Sequence, residues 1–217
     1  MKPVLVVAHH LENLDWVRRV QGYDVCVVSK SDPSAHIFQP INRGFEASAY
    51  LQYIVSRYDE LSEYTVFVHG HETSWHHAGR MDALVNSLLP LTGRYRNINK
   101  FHTDDPAHAG HSLGYIHFPL HRNRLLTDHG LRPYEGQTLI RPCAMFLVHR
   151  DLIRRHPKGM YQALLDTATA DECTHDTAIS FEYCWFKIFT GQDDERTWDI
   201  DENFDAVAKL YSGASRV

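Results

Sequence analysis

Val4-Leu5-Val6-Val7-Ala8 and Val25-Cys26-Val27-Val28 are two short, valine-rich apolar runs on either side of a segment with a different period. Four or five uninterrupted apolar residues, mostly β-branched, suit a strand covered on both faces, as in a parallel sheet. Between the runs, residues 12–20 together with Leu11 set Leu11, Leu14 and Val17 on one stripe, with Asp15 early and Arg18-Arg19 late, as a helix dipole favours. The predicted opening is therefore β-α-β. Residues 64–68, Tyr64-Thr65-Val66-Phe67-Val68, form a third run of the same kind and lead directly into His69-Gly70-His71-Glu72. Open α/β sheets bind ligands outside the carboxyl ends of their strands. Chemistry is accordingly expected at His9-His10, at Ser29-Lys30 and at the His69–Glu72 turn.

The rest of the chain extends this pattern. Residues 30–40, with Ser, Asp, Gln and two Pro, read as a loop. After Asn42-Arg43-Gly44, apolar residues recur at helical spacing over 45–58. A helix is predicted over 81–89, stopped by Pro90. Residues 92–124 are rich in His, Asn, Gly and Asp and read as irregular, with one short strand around 115–118. A strand is predicted over 144–148 and helices over 152–155, 160–168 and 181–189. A polar loop over 192–201 and a terminal helix over 204–211 complete the reading. No repeat, linker or low-complexity tract divides the chain. The predicted fold class is α/β: a single Rossmann-like domain over residues 1–217, with a mixed, mainly parallel central sheet flanked by helices.

With 217 residues and 43% hydrophobic content, the chain has the means to bury a sizeable core. Its 22 Lys and Arg against 27 Asp and Glu give a formal charge of −5, which disfavours a nucleic-acid partner. Cys26, Cys143, Cys173 and Cys184 are widely spaced and read as reduced core residues. The apolar run ending at Ala8 is too short for a signal segment or a membrane span, so a cytoplasmic protein is expected.

Sixteen His are the compositional oddity, because imidazole titrates near neutrality and is the commonest metal ligand. The densest group is His69-Gly70-His71-Glu72, with His76-His77 just beyond. A Gly between two His permits a turn that brings both imidazoles, or one of them and Glu72, to one cation. Imidazole suits Zn²⁺ or Mn²⁺, and a carboxylate favours Mg²⁺ or Mn²⁺. The H-x-H-x-D-H set of metallo-hydrolases is incomplete, since Glu72-Thr73-Ser74 follows His71. Glu182, among Phe181, Tyr183 and Trp185, is a carboxyl whose desolvation would raise its pKa toward a general base's range. Asp176 and His175 are the next candidates for that role, and His102-Thr103-Asp104-Asp105 offers a further Asp pair. Trp75 follows the His cluster in a polar turn, where its face suits stacking on a sugar ring; Trp16 and Trp185 fall on apolar helical faces.

Three blocks carry a resemblance. Asn42-Arg43-Gly44-Phe45-Glu46-Ala47 leads through Tyr50-Leu51 to Tyr64-Thr65-Val66-Phe67-Val68-His69-Gly70-His71. Cys143-Ala144-Met145-Phe146-Leu147-Val148 is followed by Arg150, Ile153, Arg154, Pro157 and Tyr161. Phe181-Glu182-Tyr183-Cys184-Trp185 precedes Ile188-Phe189. These blocks resemble a fungal and large-virus family long catalogued without a function, which includes a chlorella-virus glycosyltransferase of GT-A type acting on a capsid glycan. The resemblance implies a GT-A-like fold, a UDP- or GDP-linked sugar donor, and a carbohydrate or glycoprotein acceptor; for a viral chain the compartment would be the host cytoplasm. It puts His69-Gly70-His71 where that fold carries D-x-D, and Glu182 where it carries the base. It further implies Mn²⁺ or Mg²⁺ at His69, His71 and Glu72, with Lys30 and Arg43 as the alternative partners of the leaving-group charge. The expected donor set is His9, His10, Ser29, Lys30 and Arg43. A His-liganded metal hydrolase and a non-catalytic carbohydrate-binding module are the alternative readings.

Overall fold

A computed structural model gives the fold, and it describes residues 2–75, 77, 79–99, 118–135, 142–195 and 198. Six strands form one sheet: β1 (Val4–His9), β2 (Asp24–Ser29), β3 (Ile37–Phe38), β4 (Tyr64–His69), β5 (Tyr95–Asn97) and β6 (Phe146–His149). Their order is β3-β2-β1-β4-β6-β5. β1 pairs in parallel with both β2 and β4, and β2 with β3, while β6 runs antiparallel to β4 and β5. The chain is thus α/β with a mixed, mainly parallel sheet. Successive residues of β1 feed opposite faces, which explains its unbroken apolar run. Val6 and Ala8 join a core with Tyr50, Phe67, Phe146, Tyr161, Trp185 and Phe189, and Leu5 and Val7 join one with Trp16, Val66, Val68 and Val85.

The first face carries α1 (Phe45–Arg57), α5 (Lys158–Thr169) and α6 (His175–Thr190), and the second carries α2 (Met81–Ser87). Two further helices, α3 (Phe118–Asp128) and the short α4 (Arg150–Ile153), complete the layers. Thr174 caps α6 by accepting from the Thr177 N–H (3.2 Å), and Gly191 ends it with φ 73°. Among the described residues, no helix is long and apolar enough to cross a membrane.

Several expectations change. The link between β1 and β2 holds a 3₁₀ helix, Asp15–Arg19, in place of a helix over 12–20. Its anchor is the buried Trp16, whereas Leu11 is 79% exposed. The loop over 30–40 contains the two-residue β3. The segment read as irregular over 92–124 supplies the edge strand β5 and the start of α3, because Tyr95 and Asn97 bury against β6 and Phe118 opens a helix. Helix α6 begins at its Thr174 cap, well before the predicted 181–189. Cys26, Cys143 and Cys184 are buried free thiols as expected, but Cys173 is only partly buried. The helix expected over 204–211 and the strand over 115–117 lie outside the described residues.

Candidate functional site

The connection from β1 to β2 covers one face of the sheet, and α1, between β3 and β4, covers the other. The winding therefore reverses between β1 and β4, and such a switch point opens a crevice at the carboxyl ends of the strands. Two hollows occupy it. One, of about 190 Å³, is lined by Ala8, His9, His10, Glu12, Lys30, Asn42, Phe45, Glu46 and His69. The other, of about 410 Å³, is lined by His10, Leu11, Glu12, Asn13, His71, Glu72 and Thr73. They share His10 and Glu12 and so form one bipartite cleft. A separate hollow of about 480 Å³ lies between α3 and the α5–α6 turn, away from the strand ends, and collects none of the predicted site residues.

Of the expected donor set, His9 and Ser29 hold each other. His9 Nδ1 lies 2.9 Å from Ser29 Oγ, which also accepts from the Ser31 and Asp32 N–H groups (3.1 and 2.8 Å). The pair thus clamps the turns that follow β1 and β2. His10 faces the cleft and accepts from Asn42 Nδ2 (3.3 Å). Lys30 Nζ donates to the carbonyls of Arg43 (2.8 Å) and Phe45 (2.5 Å), and Ser48 Oγ donates to the same Arg43 carbonyl (2.6 Å). Those bonds hold Gly44 (φ 67°) and Phe45 (φ 45°) in a left-handed turn. That turn sets Phe45 and Glu46 on the wall of the cleft. Burial lowers the Lys30 pKa to about 8, offset in part by Glu46. Arg43 instead pairs with Asp171 (2.6 Å).

Glu12 was not among the sequence candidates. Its carboxylate accepts from the His10 and Leu11 N–H groups (2.7 and 3.2 Å) and lies 3.7 Å from His71 Nε2. Burial pushes its pKa up, but the His10 N–H and the neighbouring imidazoles outweigh this and hold it below the usual value. Glu12 also explains Gly70. A Cβ there would stand 3.0 Å from both Ala8 O and Glu12 Oε2, so the glycine admits close approach of the β1 and β4 ends. Trp16 Nε1 fixes the same point by donating to Gly70 O (2.8 Å).

The expected metal set does not converge. His69 is buried, with Ser74 Oγ 3.3 Å from its Nε2, and its ring lies 5.4 Å from that of His71 and 5.7 Å from that of His77. Glu72 is drawn away: Arg19 binds its carboxylate, Arg80 lies 3.9 Å from it, and both arginines also hold the buried Asp82. Among the described residues, no three His, Cys, Asp or Glu side chains are placed to hold one metal ion. His76, His102, Asp104 and Asp105 lie outside the described residues.

Glu46, in the first turn of α1, adds a second carboxyl to the smaller hollow, which Glu12 also lines, and it was not among the sequence candidates. Burial pushes its pKa up and Glu12 adds to the rise, against the pull of Lys30 and His71. Glu182, on α6, does not line the cleft but is within electrostatic reach of Glu46; burial first, and the Glu46 charge second, push its pKa up to about 8. Tyr50 and Cys143 sense both carboxylates. Asp176 stands apart in the first turn of α6, 3.9 Å from His121 Nε2 and likewise from His175 Nδ1. Trp75 is 57% exposed on the loop after β4 and lines neither part of the cleft.

Residues 5–93 match the sequence profile of a family described as a protein of unknown function (DUF3431). The matched span holds every residue lining the two hollows of the cleft, while Glu182 lies beyond it. No curated protein and no solved structure matches the chain.

Proposed function

We propose that the chain is a glycosyltransferase that moves a sugar from a nucleotide-diphosphate donor, UDP- or GDP-linked, to a hydroxyl of a carbohydrate or glycoprotein acceptor. One observation carries this reading: at the switch point, the carboxyl of Glu46 and the ammonium of Lys30 share one cleft, and a second carboxyl, Glu182, stands within reach. Sugar transfer needs a base for the acceptor proton and a counter-charge for the departing diphosphate.

Glu46 takes the proton of the acceptor hydroxyl as its oxygen bonds to the anomeric carbon. The bond from that carbon to the diphosphate oxygen breaks, and its electron pair leaves with the phosphate. A single displacement of this kind inverts the anomeric centre. Burial and the Glu46 charge push the Glu182 pKa up to about 8, and of the two carboxyls it is Glu46 that lines the cleft and so meets the acceptor. Lys30 keeps one N–H beyond its two carbonyl bonds, and the imidazole of His10 lies beside it on the cleft wall. Both favour negative charge on the departing oxygen. The Mn²⁺ or Mg²⁺ implied by the family resemblance does not fit His69, His71 and Glu72 as they are arranged, since Arg19 holds the Glu72 carboxylate.

Thermal unfolding with UDP- and GDP-sugars, each with and without Mn²⁺, tests the reading. A ligand at a hundred times its Kd adds about 2.7 kcal/mol, or roughly 5–10 °C for a chain of this size. A shift with one nucleotide, lost in Lys30→Met, is expected. No shift with any nucleotide sugar would sink the transferase and turn attention to glycan binding alone.

A further inference from the structure

Phe45 is a bulky residue held in the left-handed region of backbone space. Its φ of 45° follows the 67° of Gly44, and large side chains rarely accept such values. Lys30, donating to the carbonyls on either side of Gly44, and Ser48 hold the turn in this shape. Packing does not explain the strain. Among the described residues Phe45 joins neither core; it is 42% exposed, and its ring stands nearly perpendicular to that of His175 with centroids 5.4 Å apart. What the turn achieves is to set an aromatic ring on the wall of the smaller hollow, together with Glu46, Lys30, His10, Glu12 and Asn42. Backbone strain that serves no packing points to a ligand.

The chemistry of the hollow selects what meets that ring. Displacement at the anomeric carbon puts the transferred sugar between the group that takes the acceptor proton and the group that meets the departing phosphate, and Glu46 and Lys30 line the same hollow. At about 190 Å³ it is smaller than the roughly 300–1,000 Å³ of a site for a drug-sized ligand, so it suits a single ring. A pyranose offers what this wall can use: a face of C–H groups for the aromatic ring, and hydroxyls that both donate and accept. Glu12 and Glu46 can accept from those hydroxyls, and Asn42, which gives one N–H to His10, keeps its amide oxygen. A further anion beside Phe45 would face two carboxyls, and a cation would face Lys30. We propose that Phe45 is the platform on which the transferred sugar of the donor packs. The stacking role expected of Trp75 thus falls to the turn that opens α1. This inference rests on the transferase reading.

Calorimetry with UDP, UDP-glucose, UDP-galactose, GDP, GDP-mannose and GDP-fucose on the parent and on Phe45→Ala tests it. The nucleotide that the parent binds should bind Phe45→Ala with unchanged Kd, because Lys30 and His10 remain. The Kd of its sugar conjugate should rise about tenfold. Phe45→Tyr, which keeps the ring, should restore the parent value. Equal losses for nucleotide and conjugate would place Phe45 against the nucleotide and overturn the proposal, as would unchanged Kd values for both. Binding of no conjugate by the parent would instead sink the transferase reading, and this inference with it. Should Phe45→Ala not fold, Phe45→Gly takes its place, since glycine adopts the φ of 45° without strain.

Discussion

Replacing Glu182 by Gln keeps the shape of the side chain and removes its charge at every pH. In the folded protein the Glu182 midpoint stands at about 8, against 4.5 for a glutamate in water. Between those values the folded state keeps a proton that the unfolded chain has released, so stability falls as pH rises through that window and is level above it. At about 1.4 kcal/mol per pH unit, the ceiling on this loss is about 5 kcal/mol. Glu46 shares the titration and Glu182 retains some solvent contact, so we expect about 2–3 kcal/mol, or roughly 5–10 °C in Tm. Thermal unfolding of both proteins from about pH 4 to about pH 9, the range that brackets the window, is the assay. The advantage of Glu182→Gln over the parent should grow by that amount across the range. Parallel curves would show that Glu182 is neither desolvated nor coupled to Glu46, and the account of the carboxyl pair would fail.

Gly44→Ala combines a left-handed backbone with a Cβ 2.6 Å from the Ala168 carbonyl, and should cost about 2–4 kcal/mol in denaturant unfolding. Gly70→Ala presses on Ala8 O and Glu12 Oε2 at 3.0 Å; a loss of about 1–2 kcal/mol is expected, together with weaker nucleotide-sugar binding in calorimetry. Glu72→Gln should leave any metal response in the thermal-shift assay unchanged while lowering stability by about 1 kcal/mol, because its carboxylate serves Arg19.

Tertiary packing explains where sequence reading of the site fell short. Glu182 was recognisable because Phe181, Tyr183 and Trp185 announce desolvation locally. Its neighbour Glu46 carried no such signal: a glutamate in a helix's first turn is ordinary, and only the α1–α6 approach makes it half of a pair. Glu12 looked like the start of a helix, and only the β1–β4 approach at Gly70 turned it into a cleft residue. Glu72 misled in the opposite sense. Its place beside two histidines suggested a shared ligand set, but Arg19, distant in sequence, captures the carboxylate.

The sequence by itself determined the α/β class, the parallel core strands and the end of the sheet where the cleft opens. Contiguous β-branched runs report burial on both faces, and the polar turns after them mark the carboxyl ends of those strands. Only the tertiary structure decided which charged groups meet there. Lys30 meets Glu46 there because it binds the carbonyls of the turn that opens α1, and Glu182 comes within electrostatic reach of Glu46 through the packing of α1 and α6 on one face of the sheet, which no local periodicity encodes.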